Sequence, residues 1–298
     1  MRRESGFALI LVIWALVALA SLASGFVLGS RHEIHLARDA MQELKVDAAV
    51  IEALNYSFLA LNRRHPEDRW QADGTVHELP ERNGVSMRVR VRSEAGKVDI
   101  NRAPPEVLES LISDRLPGKT AQALCDALID WRDPDDQALP QGAEADDYIA
   151  AGYKYTPANR PFQSVQELSR VMGFDSDSVA MLLPYITVYS GTPLIDPLSA
   201  SLVTLKAIPG IAENDVQSFV EARREQGAAL SESAIDLLQA GDQYIDTSSN
   251  FDVIGVDIEV RLKDSATQVQ QIIAQLGPDH YYHVIAHGTP ESTVELIY

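Results

Sequence analysis

The 298-residue sequence contains a single cysteine, Cys125. An intrachain disulfide is therefore excluded, and so is any C-x-x-C redox or zinc pair. Apolar neighbours make Cys125 read as a small core residue. Positive charge is also scarce. Lys and Arg number 25 against 43 Asp and Glu, a formal net charge of −18 and a pI of about 4.7. Phosphate backbones repel a chain this acidic, which argues against generic nucleic-acid binding. Catalytic signatures are missing as well: there is no G-x-S-x-G elbow and no H-E-x-x-H pair. The stretch PGKT, Pro117 to Thr120, is not a P-loop, because Ser113 stands where its first glycine belongs. His283 and His287 fall on one face of an expected strand, about 13 Å apart at roughly 3.3 Å per residue, too far to share a zinc. Both are expected at the surface. We expect a protein that is not an enzyme.

There is one long apolar run. From Phe7 to Ser30 no residue is charged. As a helix this segment reaches about 36 Å, enough for a bilayer core of about 30 Å. Arg2 and Arg3 precede it and place the N-terminus in the cytoplasm. One reading is a signal peptide cut near Ala18 or Ala20. The other starts from Gly6-Phe7. A short basic leader, then Gly, then Phe and an apolar run resembles the type IV prepilin processing site. That resemblance implies cleavage between Gly6 and Phe7, an N-terminal phenylalanine that becomes methylated, and an apolar helix that survives maturation. It also implies a glutamate at the fifth mature position, where this chain has Leu11. In lipid a carboxylate is costly unless paired, and in that family it is thought to pair with a neighbouring subunit's N-terminal amine. A subunit with Leu11 cannot dock beneath an earlier one in that way, which suits the first subunit of an assembly.

Arg31 to about Asn62 holds neither Gly nor Pro. Ile34, Ala37, Met41, Leu44, Ala48, Ile51 and Phe58 recur at three-four spacing, one face of an amphipathic helix interrupted by Asn55. Pro66 should end it. Val85, Met87, Val89 and Val91 then alternate with Ser86, Arg88, Arg90 and Arg92, a strand with one polar face. The arginine row is either a solvated face or a partner-binding patch. Val98 and Ile100 are expected to begin the next strand. FDVIGVDIEVRLK, HYYHVIAHG and STVELIY near the C-terminus are strand-like too. One sheet built from both ends of the chain is expected, with helices inserted between.

Three stretches in the insert read helix, turn, helix: LISDRLPGKTAQALCDALIDWRD, VQELSRVMGFDSDSVAMLLPYITVY and LKAIPGIAENDVQSFVEARRE. They resemble helix-hairpin-helix units, as in competence DNA receptors, so a periplasmic membrane-anchored DNA-binding protein is the alternative function. Glu213, Asp215, Asp175 and Asp177 sit where such units meet phosphates, which weighs against it.

Between them lies DWRDPDDQALPQGAEADD, Asp130 to Asp147, with seven carboxylates and one arginine. Ordering the loop from Asp133 to about Arg160 costs about 1–2 kcal/mol per residue, and like charges oppose compaction. Numbering Asp133 as 1 puts Asp135 at 3, Gln137 at 5, the Leu139 carbonyl at 7, Gln141 at 9 and Glu144 at 12, as in an EF-hand. The glycine at 6 is missing, being Ala138. Oxygen-only ligands favour Ca²⁺ over zinc. Asp146, Asp147 and Asn159 are candidates for a second ion. A solvated, disordered acidic loop is the alternative.

Together, the leader, Leu11, DWRDPDD…GAEADDY, PFQSVQELSRV, LLPYITV and TSSNFDV resemble, essentially end to end, the general secretion pathway protein K family, the large minor pseudopilins of type II secretion. The resemblance implies an α+β fold. A pilin-like transmembrane helix packs on an antiparallel sheet, and an all-α domain with helix-hairpin-helix-like units is inserted. The expected organisation is a leader over 1–6, a transmembrane helix over 7–30 and a stem over 31–65. The sheet comes from 66–101 and 250–298. The α domain spans 102–249 and carries the acidic loop at 130–160. The resemblance further implies one or two calcium ions and a single-pass inner-membrane protein with a periplasmic head. Its partners would be prepilin peptidase and the minor pseudopilins I and J, with no nucleic acid. The place implied is the pseudopilus tip, starting or capping assembly in support of protein export across the outer membrane.

Overall fold

A computed structural model describes residues 5–65, 68–226, 230–247, 252–263, 267–277 and 281–288. The stretches TSSN and STVELIY therefore lie wholly or almost wholly outside the described residues. Two compact units are present, Met1–Glu52 and Ala53–Tyr298.

The first helix, α1, covers Ser5–Leu61. Freedom from Gly and Pro between Arg31 and Asn62 lets it run without a break. In the first unit Leu9, Leu11, Trp14 and Leu22 are exposed, with Leu11 at 57%. Among the described residues no helix is long and apolar enough to cross a membrane.

The second unit opens with the last two turns of α1. Asn62 closes the helix, its side chain donating to the Phe58 carbonyl (2.8 Å). Five strands follow: β1 (Asp73–Arg82), β2 (Val85–Ser93), β5 (Val253–Leu262), β6 (Gln268–Leu276) and β7 (Tyr282–Gly288). They form one antiparallel sheet in the order β1-β2-β5-β6-β7. Because side chains alternate, Met87, Val89 and Val91 share a buried face with their partners Val260, Ile258 and Val256. The end of α1 meets this sheet at Tyr282, whose ring lies 5.2 Å from that of Phe58 and whose hydroxyl bonds the Asn55 side chain (3.0 Å). The polar break in the stem's apolar stripe thus has a partner.

On the opposite face the arginine row is neither freely solvated nor an open patch. Arg90 donates twice to one oxygen of Asp257 (3.0 and 2.9 Å), and Arg92 donates to the same oxygen (2.8 Å). Arg88 reaches Glu259 (3.4 Å). Asp257 is 1% exposed. Its other oxygen accepts from Gln271 (3.0 Å), so the buried charge is fully partnered.

Val98 and Ile100 do not continue the large sheet. Val98–Asp99 is a two-residue strand, β3, paired in parallel with β4 (Ile186–Thr187). Asp99 caps the turn that follows by accepting from the Asn101 N–H (2.8 Å), which pulls the backbone out of extension.

Helices occupy the chain from β3 to β5: α2 (Pro105–Arg115), α3 (Ala121–Arg132), α4 (Ala145–Ala150), α5 (Ser176–Leu182), α6 (Leu202–Lys206), α7 (Glu213–Gln226) and α8 (Glu232–Ile235). Leu108, Leu111, Leu128, Leu168, Leu205 and Phe219 are among their shared, fully buried core. α2–α3 and α6–α7 are joined by Pro-Gly turns. The segment before α5 is a 3-10 helix, Val165–Arg170, instead of an α-helix. In all three turns the glycine, Gly118, Gly173 or Gly210, takes a φ near +90°, a conformation that costs other residues dearly.

Candidate metal centre

The acidic loop begins where α3 stops. Asp133 is its C-cap, in extended conformation, and Arg132 anchors the helix end by donating to the carbonyls of Ile100 and Ala103. Asp135 folds the next residues by accepting the Gln137 N–H (2.9 Å), an Asx turn. The chain then runs back along α3. Leu139 N–H donates to both oxygens of Asp130 (3.2 Å each), Gln141 N–H to Asp126 (3.0 Å) and Ala143 N–H to Asp130 (2.8 Å). Asp126 and Asp130 stand one helical turn apart, and between them they meet the N–H groups of Leu139, Gln141 and Ala143 around a turn closed by the Gly142 N–H on the Leu139 carbonyl. Gly142 is required here, because a Cβ at that position would overlap the Asp130 carboxylate.

This fold-back delivers Glu144 to Asp133. Ligand oxygens of Asp133, Asp135 and Glu144 all lie within 4.8 Å of one another. Glu144 is 6% exposed, and neither of its oxygens has a hydrogen-bond partner; Asp133 Oδ1 and Asn159 Oδ1 also lack one. Burial first, then Asp130, Asp133, Asp136 and Asp135, push the Glu144 carboxyl up to about 7. Burial likewise raises Asp130 to about 6, against the lowering effect of its two backbone donors. Asp133 is raised by burial and by Asp135. Two full charges at this separation repel by about 3–4 kcal/mol at an effective dielectric constant near 20.

The other expected ligands are placed as follows. Asn159, with φ 45°, donates to the Asp135 carbonyl (3.2 Å) and to Asp136 (2.9 Å), so the far end of the loop closes on its beginning and Asn159 joins Asp135, not Asp146 or Asp147. Asp147 reaches back to the Glu144 N–H (3.0 Å) and caps α4. Asp146 is exposed in the first turn of α4. Leu139's carbonyl accepts the Gly142 N–H (3.0 Å), and Gln137 contributes its N–H to the Asx turn. Gln141 reaches Gln122 by side chain (2.9 Å). Sequence spacing missed Asp126 and Asp130. Their i, i+4 placement facing an acidic loop was the available signal.

The oxygens fit a hard divalent cation. Ca²⁺ holds oxygens at 2.3–2.6 Å, so two of its ligands lie up to about 5 Å apart, the span seen here. Against one wall of the loop stands an aromatic cluster. Tyr148, fully buried, lies 6.0 Å from Trp131 and 5.3 Å from Tyr153, and its hydroxyl accepts the Met172 N–H (2.8 Å).

Residues 88–191, which include this whole centre, match the sequence family described as type II secretion system (T2SS), protein K. The type II secretion system protein K of Pseudomonas aeruginosa is 26% identical over 253 residues, covering 76% of this chain and 74% of that protein. Over the greater part of its length the chain is therefore similar to type II secretion system protein K. Protein K of Klebsiella pneumoniae is 32% identical over 149 residues, 48% of this chain and 44% of that one. The Dickeya chrysanthemi protein K is 38% identical over 94 residues, 32% and 24%. The fold is shared with a chain of the GspK-GspI-GspJ complex from the type 2 secretion system of enterotoxigenic Escherichia coli. The TM-score is 0.61 at 20% identity, covering 86% of this chain and 99% of that one.

The DNA-binding alternative gains no support from this protein K fold. The lysines beside two of the turns are already neutralised by the acids expected there: Lys119 by Asp175 (2.7 Å) and Lys206 by Glu213. Lys119 also donates to the Gly173 carbonyl (3.1 Å), occupying the turn itself.

Proposed function

We propose that this chain stands at the tip of the pseudopilus, where it starts or caps assembly and so supports export of folded proteins across the outer membrane. Leu11 carries this reading. It is an exposed apolar residue on α1 at the position where an acid would be needed to hold a preceding subunit. The apolar run from Phe7 to Ser30, led by Arg2 and Arg3, supports a single inner-membrane span with the head in the periplasm, formed after prepilin peptidase cuts between Gly6 and Phe7. A solved structure of the same fold is a chain of a complex of GspK with GspI and GspJ, which supports minor pseudopilins I and J as partners. Co-expression of the three chains tests this: a ternary complex is expected, and a chain that elutes alone would overturn it.

The head holds Ca²⁺ at Asp133, Asp135 and Glu144, with Asn159 Oδ1 as a further donor. What supports this is the buried Glu144 carboxylate with no protein partner. The bound ion would neutralise the facing carboxylates and order the loop. Stabilisation scales with ligand excess, about 2.7 kcal/mol at a hundredfold over Kd. Chelation should lower the melting temperature; an unchanged melt sinks the calcium reading.

A further inference from the structure

From the packing of the acidic loop on α3, we infer that Asp130 and Asp126 are positioning residues of the cation centre, not ligands. They set its geometry by fixing the backbone of Leu139 to Ala143. The inference rests on the calcium reading and goes beyond it, because it assigns the shape of the centre to groups that do not touch the ion.

Three backbone N–H groups, of Leu139, Gln141 and Ala143, are taken up by these two carboxylates. Asp130 is wholly buried and Asp126 nearly so, so water does not compete for the contacts. Ala143 is clamped immediately before Glu144, and Asp133 begins immediately after α3 ends. One rigid helix thereby sets the distance between first and last ligand across a loop containing two prolines, Pro134 and Pro140. The Asp147 contact to the Glu144 N–H fixes the same residue from its other side. The backbone of the last ligand is therefore held before any ion arrives. Outer groups that orient metal ligands typically carry about 10–100-fold in affinity. Asp130 stands outside the group of carboxylates whose oxygens lie within 4.8 Å of one another, and its own oxygens face the Leu139 and Ala143 N–H groups.

A substitution that moves the clamp without changing any charge separates geometry from electrostatics. Gly142→Ala does this by driving a Cβ into the Asp130 carboxylate. Asp130→Asn keeps the shape but places an amide N–H₂ against backbone N–H groups. In the full chain in detergent, Ca²⁺ affinity is measured by calorimetry. The ion's bound waters are counted from Tb³⁺ luminescence lifetimes in H₂O and D₂O. Both variants are expected to bind Ca²⁺ about 10–100-fold more weakly, with Tb³⁺ holding at least one extra water where Glu144 is no longer delivered. A folded variant, shown by a cooperative melt in EDTA, with wild-type affinity and hydration overturns the inference. Should Gly142→Ala fail to fold, Asp130→Asn decides by hydration: an extra Tb³⁺-bound water supports the clamp, whereas weaker binding at wild-type hydration is loss of charge alone and overturns it. A wild-type chain that binds neither ion defeats the calcium reading itself, and the clamp's role with it.

Discussion

The Asp130 carboxylate occupies the space that a side chain at position 142 would fill, and Gly142 is what lets the loop lie on α3. Gly142→Ala should therefore destabilise the head by about 1–3 kcal/mol, the usual range for forcing a methyl group into a packed site. Urea unfolding in saturating Ca²⁺, followed by tryptophan fluorescence, gives the value. A loss under 0.5 kcal/mol would mean that the loop lifts away freely.

Glu144→Gln keeps the shape of the buried side chain but removes its charge. Ca²⁺ should raise the melting temperature of the wild-type chain and not that of the variant. In EDTA the variant should be at least as stable as the wild type, because it relieves the repulsion from Asp130, Asp133, Asp136 and Asp135. Scanning calorimetry of both chains, with Ca²⁺ and with EDTA, checks each arm.

The Glu144 carboxyl also dictates a pH dependence. Folding raises it from 4.5 to about 7, so the cation-free folded state binds more protons than the unfolded chain between those values. Stability in EDTA should fall as pH rises across that window. With Ca²⁺ present the trend in binding is opposite: affinity should climb as pH passes about 7, because the ion needs the ionised carboxylate. Melts at pH 5 and pH 8, with and without Ca²⁺, should show a larger calcium increment at pH 8.

Asp257 carries a different expectation. Removing it leaves Arg90 and Arg92 without their shared acceptor on a sheet face where they are mostly covered. Asp257→Ala should cost about 3–5 kcal/mol, as when one partner of a buried ion pair is deleted. Gln271→Ala, which removes one neutral donor to the same carboxylate, should cost nearer 1 kcal/mol. Chemical denaturation of the two variants ranks them.

Maturation is open to direct measurement. Cleavage after Gly6 removes Arg2, Arg3 and Glu4 and takes the net charge from −18 to −19. Mass spectrometry of the membrane-extracted chain should find an N-terminal Phe7, methylated. A terminus beyond residue 20 would show instead that the apolar segment is a discarded signal peptide.

Much of the fold was legible because periodicity is a local property. The alternation from Val85 to Arg92 specifies a strand and the face it buries, whereas the stripe from Ile34 to Phe58 specifies a helix but not its buried face: Met41, Leu44 and Ile51 are exposed, while Val46, Ala49, Val50 and Leu54 are buried. The Pro-Gly turns are equally local, since a positive φ singles out glycine. Val98 and Ile100 were misread for the complementary reason. Two apolar residues at strand spacing do not say which strand they join, and here the partner, β4, lies almost ninety residues away. In the metal centre, spacing brought Asp133, Asp135 and Glu144 to notice, but it also grouped Asn159 with Asp146 and Asp147. The structure ties Asn159 to Asp135 and Asp136 and spends Asp147 on a helix cap.

By itself the sequence determined that the chain has no intrachain disulfide, no familiar catalytic constellation, one long uncharged apolar run, a two-ended sheet and a dense run of acids. Each is a matter of composition or of short-range period. Only the tertiary structure decided what the acids do. Asp130 and Glu144 are chemically alike and fourteen positions apart, yet one accepts from two backbone N–H groups and the other is buried with none. That difference comes from how the loop lies on α3, because the state of a carboxylate is set by the donors and charges around it in space, which residue order alone does not specify.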